Sequence, residues 1–143
     1  MTVDTILKRK TGSLYTIRPE HAVGEAASLM STKKVGALVV CDAHGRIVGM
    51  LSERDVVTAL AQYAKGAYDM PVRNVMSSPV ITCGLSDSVK RIMETMNERH
   101  IRHLPVVDGN ELIGIISIRD LVDHRLRETQ LEAAVLRDFA VTR

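Results

Sequence analysis

Two short motifs in this chain each place a hydroxyl, a carboxylate and a guanidinium within four residues. Each follows an apolar, strand-like run and opens a helical pattern, where the first backbone N–H groups lack partners within the helix. Such N–H groups suit a phosphate when serine and arginine side chains lie beside them, and a carboxylate suits the hydroxyls of a ribose. The motifs therefore predict two sites for a phosphorylated sugar. They are Ser52-Glu53-Arg54-Asp55 and, 65 positions later, Ser117-Ile118-Arg119-Asp120.

A purely structural interpretation of these motifs stays open. A serine at the N-cap with an acid three residues later resembles a capping box, and the helix dipole stabilises an acid in the first turn. The usual capping acid is glutamate or glutamine, however, and the arginine inside the motif recurs as Arg54 and Arg119. The repetition favours binding over capping alone.

A second basic set, His100-Ile101-Arg102-His103, lies where a predicted helix enters a strand. We take Arg102 and His103 as candidate phosphate ligands, and we group them with Asp120 of the same copy. Exposed cations at a helix C-terminus are also favourable without any ligand. The first copy has Lys34 at this place, followed by Gly36-Ala37, so the two sites should differ. No metal site is expected, because no cysteine or acid lies at ligand spacing from the histidines.

The motifs belong to an internal repeat that covers most of the chain. Its period is longer than the roughly 20–50 residues of solenoid repeats, so it indicates two copies of one small α/β unit. The hydrophobic pattern of each copy predicts a short helix, an extended piece, an amphipathic helix, two strands and a closing helix. Strands are predicted at 37–41, 46–51, 104–107 and 111–116. Thr16, Val23 and Met30 recur 66 positions later as Thr82, Val89 and Met96.

The C-terminal segment predicts one long helix, from Arg119 to about residue 140, because it contains neither glycine nor proline. Beyond the repeat, Leu131, Val135 and Phe139 form an apolar stripe at i, i+4 and i+8. An isolated helix gains little stability from propensity alone, so we expect the stripe to pack on a second subunit. A solvated, frayed tail is the alternative.

Composition narrows the function classes. A net charge of +2, from 19 basic and 17 acidic residues, gives no strong basic patch, and Trp is absent, so nucleic acid is an unlikely partner. No apolar run approaches the roughly 20 residues of a membrane span, and we expect a cytoplasmic protein. Cys41 and Cys83 are expected to be buried apolar side chains. No catalytic motif or Gly-rich phosphate loop is present, which favours binding over catalysis.

Together these residues resemble a tandem pair of CBS domains, as in stand-alone bacterial members of that family. The resemblance rests on the doubled strand-Gly-x-x-Ser-x-x-Asp-helix pattern and covers about residues 1 to 124. It implies an α/β (α+β) fold of two β-α-β-β-α units packed sheet to sheet about a pseudo-twofold axis. The corresponding division is 1–66, 67–124 and a helical extension at 125–143. It also implies a homodimer that regulates an unknown effector protein.

The resemblance further implies regulatory binding of AMP, ADP or ATP, with NAD(H) as a further candidate, and no obligatory cofactor or enzymatic activity. A ligand-free dimerisation scaffold is the alternative. In the family the motif aspartate holds the ribose, and a basic pair, here in swapped order, holds phosphate. Carried onto this sequence, the ribose ligands are Asp55, Asp120, Ser52 and Ser117, the phosphate ligands are Arg54, Arg119, Arg102, His103 and Lys34, and the base contacts are Thr16, Ile17, Thr82 and Cys83.

Overall fold

The computed structural model of the chain describes residues 1–10 and 14–141. Its elements follow the predicted order in both copies. One 3-10 turn, Ala64–Ala67, spans the boundary between the copies, and a second, Val72–Asn74, takes the place of the short opening helix predicted for the second copy. The helices are α1 (Val3–Arg9), α2 (Val23–Lys33), α3 (Glu53–Tyr63), α4 (Val89–Arg99) and α5 (Ile118–Val141), and the strands are β1 (Thr16–Ile17), β2 (Ala37–Cys41), β3 (Ile47–Ser52), β4 (His103–Asp108) and β5 (Glu111–Ser117).

The two sheets repeat one topology. In the first, β1 pairs parallel with β2, which pairs antiparallel with β3. In the second, β4 pairs antiparallel with β5, and Cys83 makes a parallel bridge to Val106, where Ile17 pairs with Val40 in the first copy. Both hairpins carry a register shift at the same place, after Val40 and after Val106. The prediction of two α/β units is therefore confirmed.

Each unit encloses its own apolar core. The predicted amphipathic helices α2 and α4 bury the face that points to the sheet, and both predicted cysteines are buried. The first core is formed by Ile17, Ala26, Met30, Leu38, Val40, Leu51 and Val72, and the second by Val3, Ile6, Cys83, Val89, Ile92, Met96, Leu104, Val106, Ile116 and Leu121.

The opening segments are exchanged between the units. Val3 and Ile6 of α1 lie in the second core, and the Val3 N–H donates to the Asp87 carbonyl at 2.9 Å. Val72, from the start of the second copy, lies in the first core and donates its N–H to the His21 carbonyl at 2.7 Å. Each core therefore contains a segment from the other copy. The boundary between residues 66 and 67 divides the sequence repeat but does not separate the two cores.

Equivalent glycines allow these exchanged segments to approach the strands. A Cβ on Gly49 would lie 2.4 Å from the Met76 sulfur, and a Cβ on Gly114 would lie 2.8 Å from Leu7 Cδ1. Gly49 and Gly114 are the same repeat position, 65 residues apart. The close approach explains why both copies have glycine here, and it brings Ser77 to the end of β3 and Lys10 to the end of β5.

Helix α5 is a single helix of 24 residues, as predicted. Leu121 and His124 on its first turns are buried, whereas Leu131, Val135 and Phe139 are 58–66% exposed. Within residues 1–10 and 14–141, no helix combines the length and apolar character needed to cross a bilayer.

Candidate functional site

The first candidate site is a cavity of about 250 Å³, here called the Asp55 cavity. Its walls come from both copies: the end of β3 and the start of α3, the start of β2, the segment after the second 3-10 turn, and the link between α4 and β4. It is lined by Gly36, Ala37, Met50, Ser52, Glu53, Arg54, Asp55, Ser77, Pro79, Val80, Ile81, His100, Ile101, Arg102 and His103.

Asp55 is held at the start of α3 by its own motif. Its Oδ2 accepts the Ser52 N–H at 2.9 Å and the Ser52 hydroxyl at 3.0 Å, and its N–H donates to the Ser52 Oγ at 3.3 Å. These contacts form a capping box, so the motif does cap α3, as the structural interpretation predicts. The other oxygen, Oδ1, has one long contact, from the Ser77 hydroxyl at 3.4 Å. The capping box therefore leaves Oδ1 facing the cavity with unused acceptor capacity.

Arg102 and His103 line the same cavity, directly after the end of α4. His100 stops the helix in a left-handed conformation, with φ of 54°, and its N–H bonds the Met96 carbonyl. The Arg102 carbonyl then accepts the Ile118 N–H at 2.8 Å, and His103 pairs with Ser117 at the start of β4. The backbone around both side chains is thus fixed by the second sheet.

The pairing of these residues differs from the one expected. We grouped Arg102 and His103 with Asp120 because they share a copy, yet they line the cavity of Asp55. The reason is the pseudo-symmetric packing, which places the α4–β4 link of one unit against the motif of the other. Arg54 lines the same cavity, whereas Arg119 and Lys34 are exposed and line neither this cavity nor the one at Asp120.

Electrostatics set His103 apart. Burial lowers the pKa of this imidazole below its usual value, and the Lys10 ammonium and Arg102 lower it further. The Asp120 and Glu53 carboxylates raise the pKa of His103 but do not reverse the shift. The ring is therefore neutral near pH 7. It lies between the Lys10 ammonium and the Asp55 cavity.

The apolar side of the cavity is formed by residues other than the four predicted base contacts, although the extended piece around Ile81 was expected to lie against a base. Met50, Pro79, Val80 and Ile81 line it. Thr16 and Thr82 are exposed, while Ile17 and Cys83 are buried, and none of the four residues expected to touch a base lines this cavity. The sequence does indicate this wall, since Val80 and Ile81 belong to the predicted extended piece, Val80 to Cys83, that carries Thr82.

The second motif occupies a different environment, here called the Asp120 cleft. Asp120 Oδ2 accepts the Ser117 N–H at 2.8 Å, and the Asp120 N–H donates to the Ser117 Oγ at 3.1 Å, so the capping contacts match those of Asp55. The enclosed volume is only about 90 Å³. It is lined by Ile6, Arg9, Lys10, Asp120, Asp123, His124 and Arg127.

Lys10, which sequence reasoning missed, is bound to this motif. Its Nζ lies 2.9 Å from Asp120 Oδ2 and donates to the Ile115 carbonyl at 2.8 Å. Nothing in the local sequence marks Lys10, because its position depends on the exchange of α1 into the second unit. In the part of the chain that the structure describes, no group of three or more His, Cys, Asp or Glu side chains could hold a metal ion.

Comparisons with known proteins fit this architecture. A profile of the CBS domain family matches residues 5–62 and 72–127. The chain is 39% identical over 107 residues to an uncharacterized 33.4 kDa protein in a ribosomal RNA operon of Thermofilum pendens, covering 75% of this chain and 35% of that protein. The chain therefore spans about a third of the length of that relative.

Solved structures share the fold over nearly the whole chain. The crystal structure of the CBS-domain containing protein ATU1752 from Agrobacterium tumefaciens has a TM-score of 0.84 at 36% identity and covers 87% of this chain and 92% of that one. The CBS domain pair of protein MJ0100, solved in complex with 5'-methylthioadenosine and S-adenosyl-L-methionine, has a TM-score of 0.77 at 26% identity. The match covers 91% of this chain and 98% of the MJ0100 chain.

Proposed function

We propose that this chain, which belongs to the CBS domain family and carries a tandem pair of its domains, binds an adenine nucleotide in the Asp55 cavity. CBS domain pairs are regulatory modules, and this chain has that general character. The finer proposal is that AMP, ADP or ATP enters the cavity and shifts the arrangement of the two units. Such a shift requires the nucleotide to bind one arrangement more tightly than the other.

The observation that carries the proposal is the position of Asp55. Its Oδ1 has only the long contact from Ser77, so it offers acceptor sites to the two hydroxyls of a ribose. The adenosine portion common to both ligands of the MJ0100 pair contains such a diol, which supports the same chemistry here.

The rest of the cavity matches the other parts of a nucleotide. Pro79, Val80 and Ile81 supply an apolar wall for a base, and Arg54 and Arg102 supply guanidinium groups for phosphate. A volume of about 250 Å³ lies just below the roughly 300–1,000 Å³ of ligand pockets, so a mononucleotide is favoured over NAD(H).

The alternative function is a ligand-free scaffold, in which the motifs only cap helices. The capping contacts between Ser52 and Asp55 are consistent with this alternative, because they give the motif a structural role without a ligand. A thermal-shift series with AMP, ADP, ATP, guanine nucleotides and inorganic phosphate separates the two. Under the proposal an adenine nucleotide at 100 times its Kd adds about 2.7 kcal/mol of stability. A chain stabilised by none of the adenine nucleotides at millimolar concentration is a scaffold instead.

Nucleotide binding is expected to strengthen as the pH falls. A phosphate beside His103 raises the pKa of the imidazole above its lowered value in the free protein, so binding takes up a proton. The gain is complete below the free-state pKa and disappears as the pH rises through the bound-state pKa. Affinity should change by up to about tenfold per pH unit between these values.

This pH dependence is measured by calorimetry at several pH values, in buffers that differ in ionisation enthalpy. His103→Gln should flatten the profile and abolish the proton uptake. An equally steep profile in His103→Gln would assign the proton to another group.

The exposed stripe of α5 supports a homodimer. Leu131 is 66% exposed and Val135 is 58% exposed, and burial contributes about 1.5–3 kcal/mol for each side chain of this size. Truncation after Leu126 should therefore weaken the dimer, and Leu131→Gln with Val135→Gln should do so while keeping the helix. Sedimentation across a dilution series measures this. Equal dimerisation of all three forms would place the interface elsewhere.

A further inference from the structure

We propose that Lys10 is an internal ligand of the Asp120 cleft, which keeps nucleotide out, so that each chain binds one nucleotide and binds it at Asp55. The inference rests on the proposed function and adds to it the number and identity of the occupied sites. It also assigns a role to a residue outside both motifs.

The ammonium of Lys10 lies on the carboxylate group that a ribose would need. It lies 2.9 Å from Asp120 Oδ2 and 2.8 Å from the Ile115 carbonyl oxygen. The Lys10 and Asp120 side chains are 24% and 22% exposed, so the ion pair is largely withdrawn from water. Withdrawal from solvent reduces screening and strengthens such a pair relative to an exposed one.

Lys10 binds a carbonyl whose repeat counterpart lies at the first site. In the first copy the Met50 carbonyl accepts the Ser77 N–H at 2.8 Å, and the Ser77 hydroxyl makes the long contact to Asp55. Ile115 is the counterpart of Met50, 65 positions later. At the second site one cation, Lys10, engages both the Ile115 carbonyl and the Asp120 carboxylate.

Volume and the pairing of the carboxylate separate the two sites in the same direction. The Asp120 cleft encloses about 90 Å³ against about 250 Å³ in the Asp55 cavity, and it is far below the roughly 300–1,000 Å³ typical of ligand pockets. A ribose entering it must displace a paired cation and so loses the attraction between Lys10 and Asp120. The Asp55 carboxylate has no cation within ion-pair distance in the described part of the chain, so it presents no such barrier.

The number of bound nucleotides tests the inference. Calorimetric titration of the wild-type chain with the nucleotide that gives the largest thermal shift should return one site. Lys10→Ala should return two, and Lys10→Ala with Asp120→Asn should return one again. Lys8→Ala is the matched control: it removes the same charge two residues away, and the Lys8 side chain is 75% exposed and pairs with Asp4 on the surface. This control should keep one site.

Two sites in the wild-type chain would overturn the inference while leaving the proposed function intact. Weaker binding by Lys10→Ala at an unchanged single site would also overturn it, because Lys10 would then be a contact to the ligand.

A second measurement does not depend on nucleotide. The rate at which an acetylating reagent modifies each lysine, followed by peptide mass spectrometry, should be several-fold lower at Lys10 than at Lys8. Asp120→Asn should raise the rate at Lys10 and leave Lys8 unchanged. Equal rates, unaffected by Asp120→Asn, would show that Lys10 does not occupy the cleft. Slow modification of Lys10 in a chain that binds no nucleotide would support the internal ligand and refute the proposed function alone.

Discussion

Replacing Asp55 with asparagine is expected to weaken nucleotide binding by roughly 10- to 150-fold. The variant removes the charge of the acceptor while keeping its size, and a hydrogen bond to a charged group contributes about 1.5–3 kcal/mol. The amide oxygen still accepts the Ser52 N–H in place of Oδ2, so the cap of α3 and the fold should persist. Isothermal titration of the folded variant measures the loss.

Asp120→Asn is the matched control for this experiment. It makes the same chemical change at the same repeat position, but in a cleft that Lys10 occupies. We expect its nucleotide affinity to stay within about twofold of the wild-type value. In free energy of binding, that is a difference of less than about 0.5 kcal/mol. A larger loss in Asp120→Asn than in Asp55→Asn would exchange the roles of the two sites.

Gly36→Leu should weaken nucleotide binding strongly by filling the Asp55 cavity. A Cβ at Gly36 would lie 3.4 Å from the His103 ring and 3.7 Å from Glu53 Oε1, both of which line the cavity. The side chain therefore enters the ligand space. A ligand forced against it meets overpacking costs of about 1–3 kcal/mol and loses its contacts, so affinity should fall by roughly 100-fold or more.

Two variants show whether such a loss is steric. Gly36→Ala adds only the Cβ and should reduce affinity much less than leucine does. Gly66→Leu places the same side chain where no atom lies within 4 Å of the new Cβ, and it should bind as the wild type does. Wild-type affinity in Gly36→Leu would mean that the nucleotide binds outside this cavity.

The sequence was sufficient for the elements and for the doubled architecture. Alternation and helical spacing depend on which face of an element is buried, and a core imposes that pattern on every strand and helix that it contains. The strands of both hairpins and the long α5 therefore lie within a few residues of their predicted bounds. The Ser-x-x-Asp motifs were also found at the start of their helices, because capping is local chemistry.

The partners of those motifs could not be predicted in the same way. Local amphipathicity shows that α1 buries Val3 and Ile6, but it does not specify which of two similar cores receives them. That choice decides that Lys10 reaches Asp120 and that Arg102 faces Asp55. A site assembled from two copies depends on their relative placement, which no spacing within one copy reports.

The most direct test is a crystal structure of the chain with the adenine nucleotide that gives the largest thermal shift. We predict density for one nucleotide per chain, with the ribose hydroxyls on the Asp55 carboxylate and phosphate beside Arg54, Arg102 and His103. Lys10 should remain on Asp120 in that structure. A nucleotide in the Asp120 cleft with Lys10 displaced, beside an empty Asp55 cavity, would contradict it.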